Sequence, residues 1–244
     1  MLRSTVLAAS FAFAFAAAAP AFAADMAPPA FITKAVADAG RPAADKDADA
    51  DRLPAATLAF AGLKEGDKVV DLFPGGGYFT RIFSKAVGGV GKVFALAPGA
   101  RADAVKAIAA DPQYKNVTFV DFTPGPVKLT EPVDFFWTSR NYHDFHNIAA
   151  IDVAALNKSI YDSLKPGGIY IVLDHAAVTG SGVTATSTLH RIDAEVVKKE
   201  VTAAGFKFVG ESKVLAHPAD DRTGKVFEGA VKGKTDQFIL KFQK

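Results

Sequence analysis

Polar and ring side chains crowd one short stretch of the sequence, "WTSRNYHDFHN", which runs from Trp137 to Asn147. A histidine in such a stretch can remove a proton from a substrate, a neighbouring carboxylate can orient its ring, and a tyrosine hydroxyl can place the substrate. An arginine and an asparagine side chain next to them can bind polar groups of the same substrate. The candidate catalytic residues are therefore His143, Tyr142 and Asp144, and the candidate substrate-binding residues beside them are Asn141 and Arg140.

Two more histidines are candidates for the same site. His175 ends the apolar run "GIYIVLDH", and His190 opens a late helical pattern, so both are expected to contact the substrate. The alternative for the whole stretch is structural, with Asp144 or Asn147 capping a helix that begins at Ile148 and the histidines merely exposed.

A metal centre is a further alternative, because His143 and His146 are three residues apart and Asp174–His175 ends a neighbouring strand. The chain contains no cysteine, so a zinc or iron centre would need histidine and carboxylate ligands of this kind. That spacing is common by chance, and we assign no metal ligands from the sequence.

A glycine-rich turn forms the second constellation. The stretch "VVDLFPGGGYFT" from Val69 predicts a strand, a tight turn and the start of a helix. Gly75, Gly76 and Gly77 let the backbone approach a ligand, and the helix that follows offers free N–H groups. The dinucleotide-binding pattern G-x-G-x-x-G/A needs a third small residue where this sequence has Thr80. No Gly-Lys-Ser/Thr follows the turn, so the Walker pattern for nucleoside triphosphates is missing as well. The turn suits a methionine carboxylate and amino group better than a pyrophosphate.

The elements that position these residues alternate along the chain. Short apolar runs predict strands, and the stretches between the first five of them predict helices near 78–87, 102–110 and 148–164, with a further helix near 191–204. This alternation predicts an α/β fold, a Rossmann-like doubly wound sheet of about seven strands, mostly parallel. The last two strands follow each other without a helix and predict an antiparallel C-terminal hairpin.

With these motifs the chain from about Arg52 to Lys244 resembles the class I S-adenosylmethionine-dependent methyltransferases, in a methyltransferase-like branch exported to the periplasm. The resemblance is carried by "VVDLFPGGGYFT", "VDFFWTSRNYHD", "LKPGGIYIVLDH" and "AEVVKKEVTAAGFKFV". It implies S-adenosylmethionine as cofactor, with Asp71 and the backbone of Gly75, Gly76 and Gly77 at its methionine end. It also implies that Asp121 lies near the adenine amino group.

One departure from that family concerns the ribose. The family usually ends its second strand with an Asp or Glu that accepts both ribose hydroxyl groups. Here the strand reads "KVFALAPGAR", and no acidic residue occurs between Asp71 and Asp103. Either backbone groups at Pro98 and Gly99 hold the ribose, or the cofactor binds weakly, or it does not bind.

The N-terminal residues predict export. The stretch "MLRSTVLAASFAFAFAAAAPAFAAD" combines Arg3, an apolar run and a small-x-small cleavage pattern, which is typical of a secretory signal peptide. We predict a signal peptide over 1–23, a flexible N-terminal segment over 24–51 and a methyltransferase-like domain over 52–244. Around 31–39 and 54–60 the sequence allows two short helices, with a solvated acidic link between them. Cleavage of the signal peptide removes Arg3 and takes the net charge from +2 to +1. A nearly neutral chain gives no indication of binding to nucleic acid or to a membrane surface.

Three functions follow from these patterns. The first is methyl transfer to an unidentified small-molecule acceptor in the periplasm. The second is non-catalytic binding of a small ligand by a protein that keeps the fold. The third is a metal-assisted hydrolase or lyase built on the histidines.

Overall fold

The computed structural model describes residues 27–99 and 102–244, so the predicted signal peptide lies outside the described residues. The bounds of the elements in chain order are α1 Ala30–Val36, α2 Ala43–Asp47, α3 Asp49–Arg52, α4 Pro54–Ala61, β1 Lys68–Leu72, α5 Tyr78–Val87, β2 Lys92–Ala97, α6 Asp103–Ala110, β3 Val117–Asp121, β4 Val133–Ser139, α7 Tyr142–Phe145, α8 Val153–Ser163, β5 Leu164–His175, α9 Thr186–Leu189, α10 Ala194–Ala203, β6 Lys207–Ser212 and β7 Gln237–Gln243.

The strands form one sheet of seven in the order β3-β2-β1-β4-β5-β7-β6. The pairs from β3 to β5 are parallel, whereas β7 is antiparallel to both of its neighbours, β5 and β6. This confirms the predicted α/β architecture and the antiparallel C-terminal pair. The strand order reverses between β1 and β4, where a doubly wound sheet opens a crevice at its carboxyl edge.

Helices cover both faces of the sheet, which explains why β1 and β4 are buried along most of their length instead of alternating between buried and exposed residues. Residues of α1, α4, α5 and α6 pack on one face with Val69 and Trp137. Residues of α8 and α10 pack on the other face with Val70 and Phe136. The helix α8 begins at Val153, where the Asp152 side chain accepts a hydrogen bond from the backbone N–H of Ala155. Neither Asp144 nor Asn147 caps it.

In the N-terminal segment, α1 and α4 lie where the sequence predicts short helices, whereas α2 and α3 form in the stretch between them that is predicted to be a solvated link. Ile32 and Ala35 of α1 are buried in the core. The Arg41 side chain is fully buried and pairs with Asp49 at 2.7 Å. A second acid of this run, Asp45, pairs at 2.8 Å with Arg81 of α5, so part of the acidic run is attached to the folded domain.

Across residues 27–99 and 102–244, no helix combines the length and the apolar character needed to cross a membrane.

Candidate active site

The turn after β1 leaves an open approach to its backbone. A Cβ atom built on Gly75 or Gly76 would meet nothing within 4 Å, and both residues are exposed. Gly77 is different, because its φ of +81° is left-handed and a Cβ there would lie 2.1 Å from Ile108. The turn therefore combines two glycines that face open space with one that the packing requires.

Asp71 lies beneath this turn and is almost completely buried. Its carboxylate accepts a 2.6 Å hydrogen bond from the hydroxyl of Thr80 on α5. Burial raises the pKa of Asp71 to about 7, although the Thr80 hydrogen bond and the charge of Arg52 act in the opposite direction. A buried carboxyl group with such a pKa beside an open turn is a candidate functional residue.

Phe73 gives the turn its shape, and the sequence patterns do not single it out. Its φ of +57° is left-handed, which is uncommon for a bulky residue. Its ring makes edge contacts with Phe122 at 5.2 Å and with Phe145 at 5.4 Å. Its carbonyl oxygen accepts a 2.9 Å hydrogen bond from the Asn141 side chain.

That contact changes the role of Asn141. Its side-chain amide group donates to the carbonyl oxygens of Phe73 and of Ser139, at 2.9 and 2.7 Å. These two donors join the turn after β1 to the end of β4. Asn141 therefore positions the turn, and its contact with a substrate stays a prediction.

The resemblance places the adenosine part of the cofactor at the ends of β2 and β3, where Asp121 supplies a carboxylate. The register pairs Ala97, the last residue of β2, with Asp121, the last residue of β3. Asp121 is exposed and accepts a 2.8 Å hydrogen bond from the backbone N–H of Gly99. A carboxylate therefore stands beside the end of β2, although β2 itself has none.

The loop after β4 joins β5 through a buried histidine–aspartate pair. The Nδ1 atom of His143 lies 2.8 Å from Oδ1 of Asp174, and the backbone N–H of His143 donates to Oδ2 at 2.9 Å. Burial lowers the pKa of His143, the negative charge of Asp174 raises it, and the net shift is upward. With Nδ1 occupied by Asp174, Nε2 of His143 faces Asp144, whose Oδ1 lies 3.4 Å away.

Tyr142 does not reach this position. Its side chain is completely buried, and its hydroxyl group donates to Glu200 at 2.9 Å and accepts from Asn157 at 2.7 Å. Burial raises its pKa well above the ordinary value of 10. The predicted catalytic role of Tyr142 is therefore replaced by a core role, because its polar atom is satisfied by α8 and α10.

The other predicted histidines separate into two groups. Nδ1 of His190 lies 3.8 Å from Oδ1 of Asp144, and the His190 and His143 rings are 5.4 Å apart. By contrast, Nε2 of His146 lies 3.3 Å from Glu200, and Nδ1 of His175 forms a 2.7 Å hydrogen bond with Thr235. Burial lowers the pKa of His175 to about 3, so it is neutral. The metal set suggested by sequence spacing is thus not brought together, whereas His143, Asp144 and His190 are.

Two arginines, Arg140 and Arg52, bring positive charge to this site, although the sequence patterns do not place them together. Arg140, in a left-handed conformation with φ +62°, donates from Nε to Gln237 at 2.9 Å. Burial and the charge of Arg52 lower its pKa to about 10. The Arg52 guanidinium lies 4.2 Å from the centre of the Tyr78 ring. Both arginines are partly buried, and neither forms an ion pair with an acidic residue in the described part of the chain.

No family model and no curated protein sequence matches the chain. Solved structures, however, include proteins with a similar fold. An S-adenosylmethionine-dependent methyltransferase from Aquifex aeolicus is 20% identical, with a TM-score of 0.61 over 83% of this chain and 98% of that one. One from Mesorhizobium loti is 17% identical, with a TM-score of 0.55 over 78% and 96% of the two chains.

The same fold also occurs in a protein with another activity. The [4+2]-cyclase SpnF is 19% identical, with a TM-score of 0.57 over 85% of this chain and 84% of that one. Identities this low carry information about architecture, and function depends on the residues of the site. The chain has the Rossmann-like fold that these S-adenosylmethionine-dependent methyltransferases share.

Proposed function

We propose that the protein transfers a methyl group from S-adenosylmethionine to a small-molecule acceptor. The observation that carries this proposal is the open backbone of Gly75 and Gly76 above the buried Asp71, at the edge where the strand order reverses. That edge is where ligands bind in doubly wound sheets. When bound, the cofactor supplies a methyl group carried on a positively charged sulfur.

The methionine end of the cofactor fits the turn. The exposed glycines allow close approach, and α5 begins directly after the turn with N–H groups that lack partners within the helix and can donate to a carboxylate. The buried carboxyl of Asp71 is suited to an ammonium group, since a cation nearby would stabilise its ionised form. Arg52 and Arg140 add donors for the carboxylate.

Asp121 is the carboxylate we assign to the adenosine end. It is exposed, it ends β3 beside Ala97, and the Gly99 N–H holds it in place. An ionised carboxylate can accept several hydrogen bonds, so the bond from Gly99 leaves capacity for a hydroxyl or amino group of the ligand. This arrangement offers a substitute for the acid that β2 lacks.

The acceptor side is formed by the ends of β4 and β5. His143 and Asp144 lie there, with His190 across from them, and His175 lies beside Asp174. Methyl transfer is an in-line displacement, so positioning of the two reactants supplies much of the rate. The hydrogen bonds of Asn141 and Asp174 fix the loop that would position the acceptor.

Calorimetric titration of the purified protein with S-adenosylmethionine and S-adenosylhomocysteine tests the proposal. We expect both to bind, and we expect Asp121→Asn to weaken both by about tenfold, the loss of a charged hydrogen bond. Asp47→Asn is the control, because Asp47 is an exposed acid of α2.

Absence of binding at millimolar ligand would contradict the proposal. Binding of the cofactor with no methyl transfer to any acceptor tried would favour the non-catalytic alternative. Equal affinities of Asp121→Asn and the wild type would show that the adenosine end lies elsewhere.

The leader pattern supports a periplasmic location, which we also propose. An alkaline phosphatase fusion to residues 1–40 should be active only outside the cytoplasm, and mass spectrometry of the exported protein should find a new N-terminus near Ala23. An inactive fusion would contradict export.

A further inference from the structure

Three potential metal ligands converge at the acceptor end of the cleft. They belong to His143, Asp144 and His190, and the ligand atoms that these side chains offer all lie within 4.8 Å of one another. Nε2 of His143 and Nδ1 of His190 both face Oδ1 of Asp144. We propose that these side chains bind one divalent transition-metal ion, with zinc as the probe. This inference goes beyond methyl transfer and does not depend on it, since none of the three residues is assigned to the cofactor.

The separations agree with a nearly formed site. Ligand atoms about 2.1 Å from a tetrahedral ion lie about 3.4 Å from one another. The distance from His143 Nε2 to Asp144 Oδ1 is 3.4 Å. The distance from His190 Nδ1 to Asp144 Oδ1 is 3.8 Å, and a small rotation of the partly exposed His190 ring would shorten it.

Asp174 gives His143 the support that a metal-binding histidine needs. Histidine ligands almost always donate their second ring N–H to a carboxylate, carbonyl or water, which fixes the tautomer and orients the ring. Oδ1 of Asp174 lies 2.8 Å from Nδ1 of His143, and the Asp174 side chain is completely buried. This leaves Nε2, which lies 3.4 Å from Oδ1 of Asp144, with the lone pair that a metal ion needs. This contact is independent of the distances among the three ligands.

The backbone of His190 is also constrained by its surroundings. Its φ of +56° is left-handed, a conformation that costs free energy and persists only where the surroundings impose it. Its neighbour Arg191 is completely buried and pairs with Asp220 at 2.8 Å, and it also donates to the carbonyl oxygens of Gly224 and Ala176. The buried Arg191 thus anchors the segment that presents His190.

The donor set selects the class of ion. Two imidazole nitrogens and one carboxylate oxygen favour zinc, iron or nickel over magnesium or calcium, which prefer oxygen ligands. Three protein ligands leave a coordination position for water or for an oxygen of a substrate, as in catalytic sites. Asp144 and His190 are both partly exposed, with side-chain exposures of 40% and 37%, so an ion can enter from solvent.

Zinc titration of the chelator-treated, tag-free protein, without any cofactor, tests the inference. Calorimetry should find one zinc ion per chain, and elemental analysis of the desalted complex should give the same ratio. His190→Ala and Asp144→Asn should each weaken zinc binding by about tenfold or more, because a lost ligand costs at least as much as a lost supporting contact. His217→Ala removes an imidazole from the connection between β6 and β7, and its zinc affinity should equal that of the wild type.

Circular dichroism spectra that match the wild type would show that the variants are folded. Two results would overturn the inference: no zinc binding by the wild type at 100-fold excess, or wild-type affinity in both His190→Ala and Asp144→Asn. Because this titration contains no cofactor, its failure would leave the binding of S-adenosylmethionine untouched.

Discussion

Asp174 binds His143 twice, through the ring nitrogen Nδ1 at 2.8 Å and through the backbone N–H at 2.9 Å. The ring and the main chain of His143 are therefore fixed by one buried carboxylate at the end of β5. Movement of His143 away from β5 would break both contacts. The charge of His143 also offsets the cost of burial for Asp174, and the pKa of Asp174 is lowered overall.

We expect Asp174→Asn to alter the tautomer of His143. In the wild type the neutral ring carries its proton on Nδ1, because Asp174 accepts it. An asparagine in its place is a weaker acceptor, so the two tautomers should mix. Long-range proton–nitrogen NMR spectra above the pKa of His143 measure this. A pure Nδ1–H tautomer in the variant would contradict the orienting role of Asp174. If His143 binds zinc, the zinc affinity of Asp174→Asn should also fall about 10–100-fold.

Asp71 should make the stability of the protein depend on pH. Its folded pKa of about 7 is above the ordinary value of 3.8, because of burial. Between these values the folded protein retains a proton that the unfolded chain has lost, so this group's contribution to stability falls as the pH rises towards 7.

Asp71→Asn removes that titration and can still accept the Thr80 hydrogen bond. Relative to the wild type, the variant should gain about 2–3 kcal/mol in the free energy of unfolding between pH 5 and pH 8. Urea unfolding at several pH values checks this. Parallel curves for the two proteins would show that the Asp71 carboxyl titrates normally.

The glycine turn offers a test that separates ligand binding from folding. Gly76 faces open space and is not left-handed, so Gly76→Ala should leave stability within about 0.5 kcal/mol. Its methyl group would nevertheless stand where the ligand approaches the backbone. We expect affinity for S-adenosylhomocysteine to fall about tenfold or more, the effect of an ill-fitting methyl in a close contact.

Gly89→Ala is the matched control, because Gly89 also faces open space but lies in the turn between α5 and β2. It should bind the ligand as the wild type does. Calorimetry compares the three proteins. Unchanged affinity in Gly76→Ala would mean that the ligand does not approach this backbone.

The sequence predicted the sheet because strand and helix patterns are local. The apolar runs and the helix at 78–87 carry their own periodicity, and the antiparallel end followed from two strands without a helix between them. The placement of several candidate residues at one edge was predicted for the same reason, because the carboxyl ends of parallel strands meet there. This brought Asp71, His143 and His175 to the right side of the sheet.

Side-chain direction is not local, and there the sequence was insufficient. Tyr142 and His143 are neighbours, yet the hydroxyl of Tyr142 is bound by α8 and α10, whereas the His143 ring joins β5. The direction of the Tyr142 side chain depends on partners that lie 15 and 58 positions away in the sequence. Local patterns therefore do not show which of the two adjacent residues faces the cleft. The left-handed Phe73 has the same origin, since its ring is held by Phe122 and Phe145.

The N-terminal acids give the last prediction, which concerns the attachment of the first helices. Asp49 pairs with the buried Arg41 at 2.7 Å, and it also accepts a 2.6 Å hydrogen bond from the hydroxyl of Tyr78 at the start of α5. Replacing it leaves a buried guanidinium without its partner. Asp49→Ala should therefore lower the free energy of unfolding by about 2 kcal/mol, as for a lost hydrogen bond to a charged group.

Asp47→Ala provides the comparison, because Asp47 lies on the same acidic run but is exposed. Its effect should stay within about 0.5 kcal/mol. Urea unfolding measures both, and limited proteolysis should cut Asp49→Ala near α3 faster than the wild type. If the two variants unfold alike and resist protease alike, the segment is a solvated linker in solution. A selective effect of Asp49 would instead show that α1 to α3 belong to the folded domain and cover the start of α5.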